Sequence, residues 1–400
     1  MKMNKSLTFL LFSIMLASLL FLSGCGGKTR GTLPEGYPPE GPEAPPERIT
    51  PVPLSGIPSP WGSLAQNLAQ KGLARDRLQS FFRSSQLSFT PSPMETKLRE
   101  LFPIFFRSDL TKAVQEKLYQ LGYDIVIDGR NGSGTRGVIK NFQRDRGLPQ
   151  SGAVNQNLSR ELDKALASGK VRNLADYKPP PPASPNRSST HGQFTNASAI
   201  SQIRAKYFED KAAFDRAQRA FQVPGPLIAS IMWIETGYGN YFGKHKAAVN
   251  LASMAAAKDY KVIAPYVSDL DVDSEAHSYL VKTASERGAW AQDELQALLL
   301  YAWQNGLDPM EFPGSIYGAI GYGQFMPSNI KKFAVDGDGD GRIDLFNKND
   351  AIFSIANYLK MNGWSGDMSS LEKRRAAIRN YNRSGVYVNT VLYVMEAISR

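Results

Sequence analysis

The sequence predicts a mostly α-helical protein, and three observations carry that expectation. Apolar residues recur at helical spacing in several stretches, the chain from Phe194 onward is helical in pattern and rich in aromatics, and parallel-sheet patterning is missing. A Gly-rich phosphate loop and a Gly-x-Ser-x-Gly elbow are missing too, which removes two large classes of α/β enzyme. The 400 residues, 42% of them hydrophobic, allow two or three compact units with full cores.

The N-terminal stretch is an export signal in layout. Lys2 and Lys5 precede an apolar run from Leu7 to Leu22, and Leu22-Ser23-Gly24-Cys25 closes it. Cys25 is the sole cysteine, so an intrachain disulfide and a Cys-rich metal site are both excluded. Leu-Ser-Gly-Cys resembles the lipobox of bacterial lipoproteins, in which the cysteine becomes the lipidated first residue. The alternative is an uncleaved anchor, for which the run is short. No later stretch is long and apolar enough to span a bilayer, so the mature chain is expected to be soluble but held to a membrane by its lipid. Where two membranes enclose the cell, a residue other than Asp at position 26, here Gly26, resembles the sorting signal for the outer one, so the periplasmic face of that membrane is the expected location.

Charge narrows the partners. The 47 Lys and Arg against 37 Asp and Glu leave a net charge of +10, which suits nucleic acid, phospholipid head groups or anionic wall polymers. No Lys/Arg block, zinc pattern or RNA-binding aromatic motif accompanies that charge, so no nucleic-acid partner is expected.

Two proline-rich stretches divide the chain. Residues 26–60 and 169–192, the second containing Pro179-Pro180-Pro181-Pro182, have the composition of extended spacers. Between them, 61–107 reads as helices carrying Leu64, Leu68, Leu73, Leu78 and Phe82. Residues 108–168 read as a separate unit. An amphipathic helix with Val114, Leu118 and Leu121 stops at Gly122, and Thr135 is placed to cap a second helix carrying Val138, Ile139 and Phe142. Leu158 to Leu166 makes a third. With Gln115, Leu121-Gly122-Tyr123, Asp128-Gly129, Gly132, Phe142-Gln143, Gly147-Leu148 and Gly152, this unit resembles the peptidoglycan-binding domain with three helices. Asn131 departs from that pattern, which has an aromatic or large apolar residue there.

Candidate chemistry rests on carboxylates. His191, His245 and His277 lack metal-ligand neighbours and read as surface or packing residues. In Pro226 to Gly237, Leu227, Ile231 and Glu235 lie four apart on one helix face, with the carboxylate near the helix C-terminus. Desolvation and the negative end of the helix dipole both push its pKa upward, as a general acid requires. A helix-end Glu held by local donors is the plainer alternative. Downstream, Ser315 to Ser328 is a Gly- and aromatic-rich turn in which glycines let backbone approach a ligand and Gln324 offers hydrogen bonds. Arg379-Asn380-Tyr381-Asn382-Arg383-Ser384 concentrates polar groups near the C-terminus.

Ile234-Glu235-Thr236, Gly321-Tyr322-Gly323-Gln324-Phe325-Met326-Pro327 and Tyr381-Asn382 together resemble the lytic transglycosylases, most of all the membrane-bound lytic murein transglycosylase B family. The resemblance covers most of 194–400, and 61–107 is similar to that family's N-terminal part. It implies a lysozyme-like catalytic domain in which the peptidoglycan-binding unit is an insertion. It makes Glu235 the sole acid and base, with Ser315, Gln324 and Asn382 binding sugar substituents. Tyr381 positions Glu235, while Phe325, Tyr358 and Tyr387 line a saccharide groove. No second carboxylate at a motif position faces Glu235, unlike ordinary glycosidases. In the family, the bond between N-acetylmuramic acid and N-acetylglucosamine is cut without water, and a 1,6-anhydro ring closes. A hydrolytic muramidase and a non-catalytic wall-binding lipoprotein are the alternatives. Two departures bear on the groove: the 256–310 segment is long, and Trp364 to Tyr381 is short.

Asp336-Gly337-Asp338-Gly339-Asp340-Gly341-Arg342-Ile343-Asp344 matches the first nine positions of an EF-hand loop. Asp336, Asp338, Asp340 and the Arg342 carbonyl would face Ca2+. The twelfth position is Asn347, and Asp350 stands where the resemblance puts a later closing acid. One loop suits a structural calcium, with no cofactor needed for the chemistry.

Overall fold

The computed structural model describes residues 54–400 except 170, 181–188, 271–273 and 367. The lipobox with Cys25, the first proline-rich stretch up to residue 53 and, in the second spacer, 170 and 181–188 lie outside the described residues. Among the described residues, no helix is long and apolar enough to cross a membrane.

Among the described residues the chain adopts the expected helical architecture, around two separate hydrophobic cores. The larger core joins α1 (Gly62–Gln70), α2 (Arg75–Arg83) and α3 (Ser92–Phe105) to the chain from Phe194 to Ile398. Leu64, Leu68, Leu78, Phe82, Met94 and Leu98 are buried in it alongside Leu227, Ile231, Leu298 and Val391.

The smaller core belongs to α4 (Asp109–Gln120), α5 (Ser133–Asp145) and α6 (Gln156–Leu166), and is built from Val114, Leu118, Ile139, Phe142, Leu158 and Leu162. Ser108 caps α4 by accepting from Thr111 N–H at 3.3 Å, and Asn155 caps α6 by accepting from Leu158 N–H at 2.8 Å. Thr135, expected as the cap of α5, lies inside that helix instead. Its hydroxyl donates to the Arg130 carbonyl at 2.9 Å and receives the Gln115 amide at 3.0 Å. Gln115 is the hub of this turn. Its Nε2 also donates to Asp128 and to the Arg130 carbonyl, both at 3.0 Å, while its Oε1 accepts from Gly129 N–H at 2.7 Å. A buried amide so placed satisfies an irregular loop that has no ladder of its own.

The chain after α6, which composition assigns to a spacer, packs back on the unit as far as Tyr177. Arg172 N–H donates to the Gln120 carbonyl at 2.8 Å, and the Tyr177 hydroxyl accepts from Ile127 N–H at 2.8 Å.

In the larger body, α7 (Ala197–Glu209), α8 (Lys211–Phe221) and α9 (Gly225–Thr236) are followed by α10 (Ala247–Ala256) and the 31-residue α11 (Ser274–Gln304). The expected apolar face of α9 is wider than one stripe. Leu227, Ile228, Ile231, Met232, Trp233 and Ile234 are all buried, the signature of a helix surrounded by others. It packs against α7, α8, α13 (Lys348–Met361) and α15 (Gly385–Ser399). The 256–310 extension is mostly α11, which lies against α3, α10 and α12 (Pro327–Phe333) and so buttresses the N-terminal helices. Arg99 of α3 grips Asp269 with two hydrogen bonds of 2.7 and 2.9 Å. The only sheet among the described residues pairs β1 (His245–Lys246) antiparallel to β2 (Pro313–Gly314).

Candidate active site

Glu235 sits in the last turn of α9, which Gly237 ends in the left-handed conformation at φ 58°. The carboxylate is half-buried in apolar surroundings, and burial raises its pKa from 4.5 to about 7. The Tyr387 hydroxyl donates to Glu235 Oε1 at 2.7 Å and acts in the opposite direction. Tyr387 is itself 3% exposed, in the first turn of α15. Burial and the nearby carboxylate hold its hydroxyl well above the usual range, so it stays a donor.

The Gly-rich turn forms the second wall. Isolated bridges pair Ile320 with Gly314 and Phe325, folding 313–325 into a compact double reversal. Its glycines serve contact within the protein as much as any ligand. A Cβ on Gly323 would lie 2.8 Å from the Tyr381 hydroxyl, and one on Gly321 would lie 2.6 Å from the Leu345 carbonyl. Gln324 follows with φ 48°, a left-handed conformation rarely adopted by a side-chain-bearing residue. Its amide donates to the Gly321 carbonyl at 3.1 Å and to the Phe242 carbonyl at 3.3 Å. Ser315 Oγ accepts from the N–H groups of Ala319 at 3.0 Å and Tyr317 at 3.2 Å.

Glu235, Ser315 and Gln324 meet around one cavity of about 280 Å³. Asn382, Phe325, Tyr358, Tyr381 and Tyr387 do not line this cavity. Asn382 ends α14 (Leu371–Tyr381), where its side chain accepts from Ser384 N–H at 3.0 Å. Phe325, Tyr358 and Tyr381 pack together in tilted and edge-to-face contacts, with ring centroids 4.9 to 6.1 Å apart. Phe325 is only 4% exposed, too little to offer a sugar a stacking face. The positioning role also changes hands. Tyr387 holds Glu235, while the Tyr381 hydroxyl donates to the Gly323 carbonyl at 2.5 Å and fixes the turn instead.

Several lining residues escaped the sequence reading. Tyr241, Gly243, Lys244 and His245 form one edge, so His245 is not merely a packing residue. Ser92, Thr96 and Glu100 come from α3, far away in sequence. Glu100 is a second carboxylate in the cavity, although no motif position carries one facing Glu235. The polar four-residue spacing from Ser92 to Glu100 was the available signal.

The acidic loop gathers three of its expected ligands. Carboxylate oxygens of Asp336, Asp338 and Asp350 lie within 4.8 Å of one another. Asp350, 1% exposed, accepts from the N–H groups of Gly337 at 2.8 Å and Asp344 at 2.7 Å, which closes the loop from the far side. Asp340 stays outside this group and accepts from Arg342 N–H at 2.8 Å. Three carboxylates this close repel one another, and a hard cation with oxygen preference relieves that repulsion.

Comparison with known proteins agrees with this architecture. The family model for the Transglycosylase SLT domain matches residues 138–373, and that for a peptidoglycan binding domain matches 107–162. The chain belongs to the transglycosylase SLT domain family. Tyr381, Asn382 and Tyr387 lie beyond the matched stretch, and Glu100 lies before it.

Among individual proteins, it is similar to the membrane-bound lytic murein transglycosylase B of Escherichia coli, at 31% identity over 227 residues. The match takes in 55% of this chain and 56% of that relative, so the chain spans about half the length of the curated relative it matches. Solved structures include soluble lytic transglycosylase SltB1 of Pseudomonas aeruginosa (22% identity, 66% of this chain and 98% of that one, TM-score 0.43). Another is the Escherichia coli lytic transglycosylase Slt35 in complex with calcium (22% identity, 72% and 97%, TM-score 0.44).

Proposed function

We propose that the chain is a lytic transglycosylase that cuts the β-1,4 bond between N-acetylmuramic acid and N-acetylglucosamine in peptidoglycan. Glu235 serves first as acid and then as base. The observation that carries this reading is its carboxyl group, with a pKa pushed up to about 7, in one cavity with Gln324 and Ser315. A carboxyl that is half protonated near neutrality can donate to the glycosidic oxygen and take a proton back afterwards. The C-6 hydroxyl of the muramic ring supplies that proton and closes the 1,6-anhydro ring. The broken C–O bond is thereby replaced by another C–O bond, with no water added. Ser315 and Gln324 serve the sugar substituents, while Asn382 stands outside the cavity at the end of α14.

Glu100 favours a second reading, hydrolysis with two carboxylates. Its ion pair with Lys97 and its hydrogen bond from Tyr317 engage it in holding α3 to the turn, which argues against a role as base. Mass spectrometry of digested peptidoglycan separates the two readings. Transglycosylation leaves anhydro ends about 18 Da lighter than the reducing ends of hydrolysis, and Glu235→Gln leaves strands uncut. Reducing ends throughout would establish the muramidase.

The acidic loop is assigned to one structural Ca2+, held by Asp336, Asp338, Asp350 and the Arg342 carbonyl. The peptidoglycan-binding unit is assigned as an insertion within a catalytic region made of 61–107 and 193–400. Separate cores support that division. Lipidation at Cys25 would hold the enzyme to the periplasmic face of the outer membrane.

A further inference from the structure

Helix α3 presents Ser92, Thr96 and Glu100 to the cavity that holds Glu235. The three stand four residues apart, so they form a polar stripe along one face of a helix whose Met94 and Leu98 are buried in the core. Glu100 is fixed in an uncommon way. The Lys97 ammonium, 8% exposed, donates to Oε2 at 2.9 Å, and the Tyr317 hydroxyl donates to that same oxygen at 2.9 Å. Lys97 also lies 3.9 Å from the centre of the Tyr317 ring. Tyr317 belongs to the turn that carries Ser315 and Gln324, so this contact clamps the N-terminal helix to the reactive loop.

Both donors fall on Oε2, which leaves Oε1 as the acceptor available to the cavity. The Lys97 charge already balances the carboxylate, so Oε1 calls for a neutral donor, not a cation. The Ser92 and Thr96 hydroxyls beside it can either donate or accept. We propose that this stripe is a substrate subsite, in which Glu100 Oε1 accepts a hydrogen bond from an amide N–H of the peptidoglycan strand. The inference rests on the substrate class proposed above. Two groups of that substrate share the required chemistry: the sugar acetamido N–H and the first amide of the stem peptide.

Binding without turnover tests this, with full-length protein carrying Glu235→Gln and glycan fragments titrated by calorimetry. Adding Glu100→Ala raises Kd about tenfold, as expected for losing a hydrogen bond to a charged acceptor. Glu100→Gln, which keeps a carbonyl acceptor, recovers most of that loss. If Ala leaves Lys97 unpaired and the protein unfolds, the double change Glu100→Leu with Lys97→Met carries the same comparison. A penalty that disappears on fragments stripped of stem peptides assigns the donor to the stem. One that persists there and disappears after de-N-acetylation assigns it to the sugar.

An unchanged Kd in Glu100→Ala would overturn the subsite, as would a penalty surviving on fragments that lack both groups. In the active enzyme, a collapse of kcat with unchanged KM for both Glu100→Ala and Glu100→Gln would overturn it as well and place Glu100 in the chemistry. Failure of the wild type to make anhydro ends, with the Kd pattern intact, would instead strike the proposed reaction and leave the subsite standing.

Discussion

At the scale of residues, Glu235 and Tyr387 set opposing influences on one proton. Burial raises the Glu235 pKa and the Tyr387 hydrogen bond lowers it, with burial the larger. In Tyr387→Phe the lowering influence is gone. The alkaline limb of kcat/KM, which follows the protonated acid, then moves to higher pH, and a pH profile of muropeptide release measures it. The same shift has a consequence for stability. A carboxyl whose folded pKa lies above its unfolded value binds its proton more tightly in the native state, so stability is lost as pH rises from about 4.5 to about 7. Glu235→Gln escapes that loss. Urea unfolding is expected to show the variant more stable by roughly 3 kcal/mol at pH 8, with no difference near pH 4.

At the scale of elements, the acidic loop and the Gln324 turn are joined by backbone. Tyr322 N–H donates to the Leu345 carbonyl at 3.1 Å, and Leu345 N–H donates to the Tyr301 hydroxyl at 3.2 Å. Phe346 continues the link to Phe242, with centroids 5.1 Å apart, and Phe242 meets Tyr322 at 5.0 Å. On the proposed assignment, a calcium ion that orders the loop would order the turn that carries Gln324 as well. Calcium added to chelator-treated protein is expected to raise Tm by several degrees and to restore lytic activity. In Asp350→Asn both effects shrink, since the oxygen that closes the loop carries less charge. The nine-residue acidic motif was legible in sequence because its glycines and aspartates alternate. The absence of Asp340 from the gathered oxygens was not, since that depends on how the turn orients each side chain.

At the scale of the whole molecule, the two cores share no buried residue, and the smaller one closes on itself through Gln115 and Gln143. Replacing 108–188 with a flexible Gly/Ser tether should leave a body that unfolds in one cooperative transition and still cuts soluble glycan strands. Its retention on insoluble peptidoglycan should fall, as a pull-down of the two proteins side by side would record. The N-terminal helices are the counterpart. Although separated from the rest by the inserted unit, they are buried in the catalytic core, and deleting 61–107 should abolish folding.

Local pattern alone determined the helical class, the three-helix unit, Glu235 on its apolar helix and the acidic loop. Each rests on spacing within a dozen or so residues, the range over which backbone periodicity and turn chemistry act. Tertiary structure decided which groups meet. It brought Glu100 from α3 and His245 from β1 to the cavity of Glu235, placed Tyr387 on that carboxylate, and gave Phe325 and Tyr381 to packing behind the turn. Those pairings join residues up to 152 positions apart through a shared core, and no local period encodes which side chain a distant helix will face.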